Sequence, residues 1–276
     1  MLHTKELQLT KGADMSRVYT TAKQFVRRVL ESTTPGYLFY LRRDHHLSRS
    51  VGRPQAPWHN AVLKSREESQ RAAEQVQNLG LPLISDPAKN WDSLAALDCI
   101  LANTSKEARV LDAGAQLYSR ILPWLCIYGY RKLDGINIAF KEKRKLGPII
   151  YRYGDITNTE YNAETFDAIT CISVVEHGVD IEKYLKEMSR ILKPGGVLIT
   201  STDYWETPID SRDQFMYGVP VHIFTKQEIL RTVDLAERNG FVLTTPIDLG
   251  CSEKVVHWES VDLDYTFVIF TLRKAP

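Results

Sequence analysis

The sequence predicts an α/β fold with a mostly parallel sheet of seven strands, an antiparallel last strand and an N-terminal helical extension. After residue 105, short apolar runs alternate with helix-like stretches, the pattern of βα units around a parallel sheet. The last apolar run follows the sixth after a connection too short for a helical crossover. A hairpin, and hence an antiparallel last strand, is the natural interpretation.

The individual elements follow from the apolar spacing. Seven runs predict strands at 109–113, 132–138, 149–153, 166–172, 196–202, 241–247 and 264–273. Helices are predicted at 116–128, 179–192 and 225–239. The second helix ends in "LKPGG", where Pro194 cannot continue a helix and Gly195 can adopt the positive φ of a C-cap. The pattern is Rossmann-like, and it places one domain at residues 105–276.

The first 104 residues form the predicted helical extension. Helical spacing covers 15–31, 61–79 and 91–103, and in the first of these Val18, Phe25, Val29 and Leu30 share a face. Between the first two lies a stretch rich in Pro, Gly, Arg and His, residues 42–60, which we interpret as a loop.

Composition excludes several classes of protein. A hydrophobic content of 43% can fill a sizeable core, and neither a signal-peptide h-region nor a membrane-spanning run is visible. We therefore expect a soluble cytoplasmic protein without a membrane partner. The four cysteines are scattered without a CxxC pair, so neither a disulfide framework nor a zinc site is expected. The sequence leaves the oligomeric state open.

Charge is distributed unevenly. Residues 1–60 carry ten Lys/Arg against four Asp/Glu, although the formal net charge of the chain is +1. The basic stretch from Arg42 to Arg53 admits a phosphate-bearing acceptor or a nucleic acid, but charge runs are usually solvated surfaces. Nucleic acid is disfavoured, because the stretch lacks a stacking platform for bases.

The carboxyl ends of the predicted strands are where an open α/β sheet binds its ligands. They read Asp112-Ala113-Gly114, Gly135-Ile136-Asn137, Gly154-Asp155-Ile156 and Ser173-Val174-Val175-Glu176-His177. With "VLDAGA", "GDIT", "FDAITCISVVEHG" and "MSRILKPGGVLITSTDYW" in this order, residues 105–275 resemble a class I S-adenosylmethionine-dependent methyltransferase, of the small-molecule group often called type 11.

The resemblance implies S-adenosylmethionine as the cofactor, and it assigns residues to its methionine end. That end would lie against the loop after the first strand, which implies roles for Asp112, Gly114, Ala115 and Ser119. Gly114 lets the backbone approach a ligand closely, and the following helix would point its positive end at the site. The alternative is a tight turn in which Gly114 serves geometry only. One glycine can suffice, since this cofactor has no pyrophosphate.

The other strand ends would hold the nucleoside. The family has an acidic residue that accepts the ribose hydroxyls where this chain has Asn137, which accepts without charge, so that Asp134 is a possible substitute. The resemblance further implies Ile138 near the nucleoside, Asp155 at the adenine amine with Ile156 beside the ring, and Ser173 and Val174 on the fourth strand. Asp155 alternatively serves as a turn residue.

The catalytic and acceptor-binding residues are predicted from the chemistry of their side chains. His177 beside Glu176 is a candidate general base, or else a structural histidine. Some relatives hold a metal with Glu-x-x-Glu-His, but Ser173 replaces the first ligand, so no metal is expected. The long connection 202–224 offers an acceptor pocket from Tyr204, Trp205, Tyr217 and His222, and Lys89 to Asp92 are placed to close over the cofactor.

The function predicted is methyl transfer to oxygen or nitrogen of a small molecule, such as a sugar, a nucleotide-sugar or a natural-product intermediate. The alternative is a non-catalytic cofactor-binding or accessory protein with a degenerate fold, suggested by Asn137 and the single glycine. An NAD(P)-dependent oxidoreductase is disfavoured, since G-x-G-x-x-G and Y-x-x-x-K are absent.

Overall fold

The computed structural model describes residues 23–47, 52–211, 214–216 and 218–276. Its strands are β1 (Ala61–Val62), β2 (Arg109–Ala113), β3 (Lys132–Ile136), β4 (Arg144–Leu146), β5 (Ile149–Arg152), β6 (Phe166–Ile172), β7 (Leu192–Tyr204), β8 (Phe215–Met216), β9 (Val219–Pro220), β10 (Phe241–Leu243), β11 (Val256–Trp258) and β12 (Leu263–Lys274). Its helices are α1 (23–31), α2 (Thr34–Asp44), α3 (Arg66–Asn78), α4 (Ala88–Asn103), α5 (Ile121–Ile127), α6 (Ile181–Ile191) and α7 (Lys226–Arg238).

Within these described residues, ten strands form one mixed sheet. Its centre is parallel, in the order β5-β3-β2-β6-β7. The last strand, β12, runs antiparallel to β7, and the short strands β11, β1 and β10 pair with β12 as well. At the opposite edge β4 turns back antiparallel onto β5. The α/β, Rossmann-like prediction with its antiparallel last strand is confirmed, and short antiparallel strands make the sheet wider than the seven strands expected.

Helices cover both faces of the sheet. On one face α4 and α5 bury Trp91, Leu94 and Trp124 against the strands, and α3 packs on α4. On the other face α6 and α7 bury Leu185 and Ile229. Both faces of the central strands are therefore buried. This explains why the sequences of those strands are continuous apolar runs and do not alternate between apolar and polar residues.

Local sequence signals set the helix boundaries. Ser65, Asp180 and Thr225 are the N-caps of α3, α6 and α7, and each side chain accepts a backbone N–H of the first turn. Thr225 and Glu228 form a complete capping box. None of the helices in the described ranges combines the length and apolar composition that a membrane crossing requires.

Three predicted elements differ in the structure. The stretch expected as one helix at 61–79 begins with β1, which pairs with Ile269 and Val268 of β12 before α3 starts at Arg66. The helix expected at 116–128 is only α5, because residues 114–120 form a turn and loop. Residues 42–44, expected in a loop, end α2. Of the apolar face predicted on 15–31, Phe25, Val29 and Leu30 lie exposed on α1, and Val18 lies outside the described residues.

Candidate functional site

The strand order reverses between β2 and β6. From β2 the chain proceeds to β3 and β5 on one side, and β6 and β7 extend the sheet on the other side. Open parallel sheets bind ligands at the carboxyl ends beside such a reversal, since the two loops leave in opposite directions and open a crevice. Gly114, Asn137, Asp155 and Ser173 all lie at this edge.

Gly114 makes the turn out of β2. Its φ is +89°, and its N–H donates to the carbonyl of Ile136 at 2.9 Å. A Cβ at this position would lie 2.4 Å from Cγ2 of Val174, so only glycine lets the loop after β2 pack this closely against the turn after β6. Ala115 is buried, and Ser119 Oγ accepts the N–H of Gln116 at 3.1 Å, which closes the loop. Such a cradle fits a ligand pressed against the backbone.

Asn137 is held by the same loop. Its Nδ2 donates to the carbonyls of Gly114 and Ala115 at 3.1 and 3.0 Å, and its Oδ1 accepts the N–H of Ala139 at 2.8 Å. The side chain predicted to accept ribose hydroxyls thus ties two strand ends together. Its assignment to the ribose stays a prediction.

Asp134 does not take the place of Asn137 at the end of β3. This buried carboxylate lies within β3 and is ion-paired with Arg109 at 3.0 Å and Arg152 at 3.2 Å. Tyr161 donates a further hydrogen bond at 3.1 Å. Asp134 therefore serves the packing of Arg109, Arg152 and Tyr161.

Asp112 and Asp155 occupy different environments. Asp112 is buried and accepts Thr170 Oγ1 at 2.8 Å, and burial raises the pKa of its carboxyl to about 7. Asp155 Oδ1 accepts both the N–H and the hydroxyl of Thr157, at 2.8 and 2.7 Å, so it makes the turn that was its alternative role. Ile156 is buried and Ile138 is exposed.

Ser173 ends β6 in an unusual conformation. Its φ is +53°, in the left-handed region that non-glycine residues seldom adopt, and its N–H donates to the carbonyl of Ser201 at 3.0 Å. Lys89 of α4 donates to Ser173 Oγ and lies 3.7 Å from the ring centre of Phe267. The helix before β2 therefore reaches the end of β6, and the expectation that Lys89 to Asp92 close over the cofactor stays a prediction. Trp91 of that segment is a core residue.

Three buried carboxylates surround Lys89. Asp92 accepts Ser201 Oγ at 2.8 Å, Glu176 accepts Thr202 Oγ1 at 3.0 Å, and Asp203 is hydrogen-bonded to Tyr265. Burial raises the pKa of Asp92 and of Asp203 to about 6, whereas Lys89 opposes the shift. Burial, and then the neighbouring Asp203, raises the pKa of Glu176 to about 8. Asp203 was not singled out from the sequence, although it precedes the aromatic pair in "TDYW".

His177 follows Glu176 and is half-buried. Burial, and then Lys89, lowers the pKa of its imidazole, so the ring is neutral near neutral pH. The backbone N–H of His177 donates to the carbonyl of Val174 at 3.1 Å, and this hydrogen bond closes the turn after β6. A neutral imidazole can accept a proton, whereas the carboxyl group of Glu176 is buried, and its catalytic role stays a prediction.

The residues predicted to bind the acceptor in the 202–224 connection lie in different environments. Tyr204 is fully buried in β7, where its hydroxyl donates to the carbonyl of Leu249 at 2.7 Å. Trp205 is half-buried with Lys254 5.1 Å from its ring centre. His222 is exposed, 3.3 Å from Glu228, and lines a cavity of about 410 Å³ with Val175, Gly178, Phe224 and Arg231. Tyr217 lies outside the described residues.

Arg120 was missed from the sequence. It is the N-cap residue of α5, directly after the Gly114–Ser119 loop, and its Nε is buried without a hydrogen-bond partner. The only signal was a basic residue at the start of an apolar helix. Within the described ranges, no group of three or more His, Cys, Asp and Glu side chains is arranged to hold a metal ion, and the absence of a metal stays a prediction.

Comparison with known proteins agrees with this geometry. A family model described as a methyltransferase domain matches residues 111–200, which run from β2 through β7. Human mitochondrial ubiquinone biosynthesis O-methyltransferase is 49% identical over 43 residues, which are 16% of this chain and 12% of that protein. Norajmaline N-methyltransferase of Rauvolfia serpentina is 26% identical over 121 residues, 42% of this chain and 38% of that protein.

A solved structure also resembles the chain over a longer span. The 1,6-didemethyltoxoflavin-N1-methyltransferase of Burkholderia thailandensis is 17% identical, covers 76% of this chain and 87% of its own, and has a TM-score of 0.49. The matched segments span well under half the length of the two curated relatives.

The sheet order describes an α/β protein, and residues 111–200 of it match the model of a methyltransferase domain. The match covers the strands β2 to β7, whose ends form the candidate site.

Proposed function

We propose that this protein is an S-adenosylmethionine-dependent methyltransferase that acts on oxygen or nitrogen of a small molecule. The observation that carries the proposal is the cradle at Gly114, beside the strand-order reversal and inside the segment that the methyltransferase family matches. When bound, the cofactor supplies a sulfonium-activated methyl group. The protein then has to hold the acceptor in line with it and remove one proton.

The cofactor would lie along the carboxyl ends of the parallel strands. In this proposal Gly114, Ala115 and Ser119 contact the methionine end, and Asp155, Ile156 and Ile138 contact the adenine. Ser173 and Val174 form the wall contributed by β6. The arrangement is supported by the positive φ of Gly114 and the close approach of Val174 to it. Asp112 lies in β2 just before this loop, and its carboxyl group accepts a hydrogen bond from the Thr170 hydroxyl of β6.

His177 is the proposed general base. Its lowered pKa keeps the imidazole neutral near neutral pH, which a base needs in order to take a proton from an acceptor hydroxyl or ammonium group. Replacing it with Asn removes the proton acceptor while keeping size and polarity. We expect kcat to fall about 10²- to 10⁴-fold with little change in cofactor affinity. Equal loss of both would point to a structural histidine instead.

The acceptor would enter from the side of the 202–224 connection. His222 and Trp205 are the acceptor contacts that we keep from the sequence analysis, since Tyr204 is a core residue. The cavity beside His222 is mostly apolar, with Val175 and Phe224 in its walls, so it suits an acceptor with a hydrophobic part. A cytoplasmic location and a small-molecule partner belong to the same proposal.

Ligand binding tests the cofactor directly. S-adenosylmethionine and S-adenosylhomocysteine should raise the Tm, because a ligand that binds only the native state stabilises it by mass action. Absence of any shift at millimolar concentration of either ligand contradicts the proposal. Transfer of labelled methyl from S-adenosylmethionine to a panel of hydroxyl and amine acceptors then tests turnover.

A second candidate is a non-catalytic cofactor-binding or accessory protein. It is favoured by the hydrogen bonds that occupy the Asn137 side chain, where the family has a ribose-binding carboxylate. Weak binding of S-adenosylhomocysteine in calorimetry, together with no methyl transfer to any acceptor class, would select this candidate.

A further inference from the structure

We propose that residues 23–47, which form α1 and α2, and the segment 141–145 together form a surface that binds an anionic lipid membrane. We call this surface the basic edge, since it lies where the sheet ends in β4. The inference goes beyond the proposed function and does not depend on it. From the sequence we expected no membrane partner because no segment could span a bilayer, but binding at a membrane surface needs no such segment.

Helix α1 turns its apolar face to solvent. The spacing of its apolar side chains places them on one face of the helix, and they are between 44% and 68% exposed: Phe25, Val26, Val29 and Leu30. The polar face contacts α2, where Arg27 pairs with Asp44 at 2.5 Å and lies 4.9 Å from the ring centre of Tyr40. A surface helix normally packs the other way round, with its apolar face on the core. A contiguous exposed apolar face of this kind marks a binding surface.

Cations flank the apolar face of α1. A helical spacing of about 3.6 residues per turn places Lys23 on one side of this face and Arg28 on the other, and both side chains are exposed. On α2, Phe39 is exposed as well, with the guanidinium of Arg43 6.0 Å from its ring centre. An apolar face bordered by Lys and Arg is typical of helices that lie in a membrane interface.

A second basic segment lies beside the two helices. Residues 141–145 hold four Lys/Arg against one Glu, all of them exposed, and they lead into the edge strand β4. The turn after β4 contacts both helices, because the N–H of Gly147 donates to the carbonyl of Glu31 at 2.7 Å and a Cβ on Gly147 would lie 2.9 Å from that of Tyr37.

Positive charge is concentrated at the basic edge. Residues 23–47 carry five Lys/Arg against two Asp/Glu, and the segment 141–145 adds its excess of Lys/Arg to them. The formal net charge of the whole chain is only +1, so the rest of the chain carries a net negative charge. Such an asymmetry directs one side of the molecule toward an anionic surface.

An anionic membrane fits this surface better than other occupants do. The apolar side chains of α1 can insert among acyl chains while Lys and Arg meet the anionic headgroups, so both parts of the surface are used. A second copy of the chain in a symmetric dimer would bring the same cations against each other. A nucleic acid would pair with the cations but would leave the aliphatic side chains of α1 exposed.

Co-sedimentation of the full chain with lipid vesicles tests the inference. Vesicles of phosphatidylcholine alone are compared with vesicles that also contain phosphatidylserine. The first variant combines Phe25→Ser with Leu30→Ser. Its matched control combines Phe215→Ser with Leu230→Ser, which lie outside the basic edge and are 64% and 43% exposed. All four side chains are exposed, so both variants should keep the Tm of the wild type.

A second pair of variants tests the charge. Lys143→Gln with Lys145→Gln removes two cations of the basic edge. Lys183→Gln with Lys186→Gln removes two exposed cations of α6 and is the matched control.

We expect the wild type to bind vesicles with phosphatidylserine and to bind phosphatidylcholine alone much more weakly. The Phe25 and Leu30 variant should weaken binding about 10- to 100-fold, because two apolar side chains no longer leave water. The Lys143 and Lys145 variant should weaken it about 10- to 30-fold. Both controls should bind like the wild type, and added salt should weaken the binding of all of them.

Four results overturn the inference. The first is that the wild type does not bind vesicles with phosphatidylserine, and the second is that the Phe25 and Leu30 variant binds them as well as its control. The third is binding of single-stranded RNA without binding of vesicles, which would assign the cations to nucleic acid. The fourth is self-association of the wild type, lost in the Phe25 and Leu30 variant, without binding of vesicles. Failure of the proposed function is a separate outcome, because vesicle binding is measured without S-adenosylmethionine.

Discussion

Asn137 shows how one side chain is set by what surrounds it. Its amide group spans the gap between the end of β3 and the loop after β2, with donors toward Gly114 and Ala115 and its acceptor toward Ala139. An amide can make this bridge because it carries both donors and an acceptor, whereas a carboxylate carries acceptors only.

Replacing Asn137 with Asp therefore separates the two possible roles. An aspartate would face two carbonyl oxygens, so we expect the free energy of unfolding to fall by about 1–3 kcal/mol and S-adenosylhomocysteine to bind more weakly. A ribose-binding role predicts the opposite, tighter binding through charge-assisted hydrogen bonds. Urea unfolding and calorimetry give the two quantities, and Asn162→Asp, which adds the same charge at an exposed position, is the control.

Two constraints favour glycine at position 114, the close approach of Val174 and the positive φ of the backbone, and substitutions can separate them. Gly114→Ala places a Cβ 2.4 Å from Val174 in a backbone with φ +89°, and we expect a loss of about 2–4 kcal/mol of stability. Gly195 has φ +76° with open space around it, so Gly195→Ala measures the backbone cost alone. Urea unfolding should show the larger loss for Gly114→Ala, and Val174→Ala in the same chain should recover part of it. Equal losses at both glycines would contradict the steric argument.

At the scale of elements, α4 places charged side chains at the carboxyl ends of the strands. It brings Lys89 to Ser173 and Asp92 to Ser201, and so joins the region before the parallel sheet to β6 and β7. The neighbouring carboxylates are Asp203 of β7 and Glu176 of the turn after β6. A helix and two strands thus share one network of buried charges, in which the loss of a single member is expected to affect the others.

Lys89→Met tests this coupling. Without the Lys89 charge, ionised Asp92, Glu176 and Asp203 lose a neighbour that lowers their pKa. The variant should therefore be destabilised more at about pH 8, where these groups ionise, than at about pH 5. Chemical unfolding at the two pH values checks this, with Lys186→Met on the exposed face of α6 as the control. An equal loss at both pH values would mean that Lys89 acts through packing alone.

At the scale of the whole molecule, buried carboxyl groups give the stability a distinct pH dependence. Burial raises the pKa of Asp92, Asp112, Asp203 and Glu176, so the folded chain holds protons that the unfolded chain has released. The stabilising contribution is present below the unfolded pKa values and is lost as pH rises through the folded ones. His45 and His177, whose pKa values are lowered, act in the opposite direction below about pH 6.5.

The free energy of unfolding should consequently decrease between about pH 6.5 and pH 8, by about 2 kcal/mol. Calorimetric unfolding across this range measures the change. Glu176→Gln should flatten the slope, because it removes the group with the highest of the four pKa values, about 8. A stability that stays constant or rises over the same range would show that these carboxyl groups ionise freely in the folded protein.

The predictions from the sequence agree best with the structure for features that residues close together in the chain determine. The alternation of apolar runs with helices predicted the strands that form the central sheet, and "LKPGG" marked the end of α6 within one residue or two. The fourth strand end, with Ser173 and His177, is at the predicted edge of the sheet. Such features depend on periodicity and turn residues, which neighbours along the chain determine.

The remaining features required contacts between distant residues. The two-residue strand β1 is too short for a periodic signal and exists because β12 offers it a free edge. Arg120 Nε lacks a hydrogen-bond partner, Tyr204 is buried, and Asp203 lies beside Glu176 only because helices and strands far apart in sequence pack together. The sequence by itself determined the α/β class and the order of the strands along the chain, and it predicted the edge of the sheet at which we propose that a ligand binds. Only the tertiary structure decided which polar groups at that edge are already satisfied and which remain available, since hydrogen bonding and burial depend on the whole packed molecule.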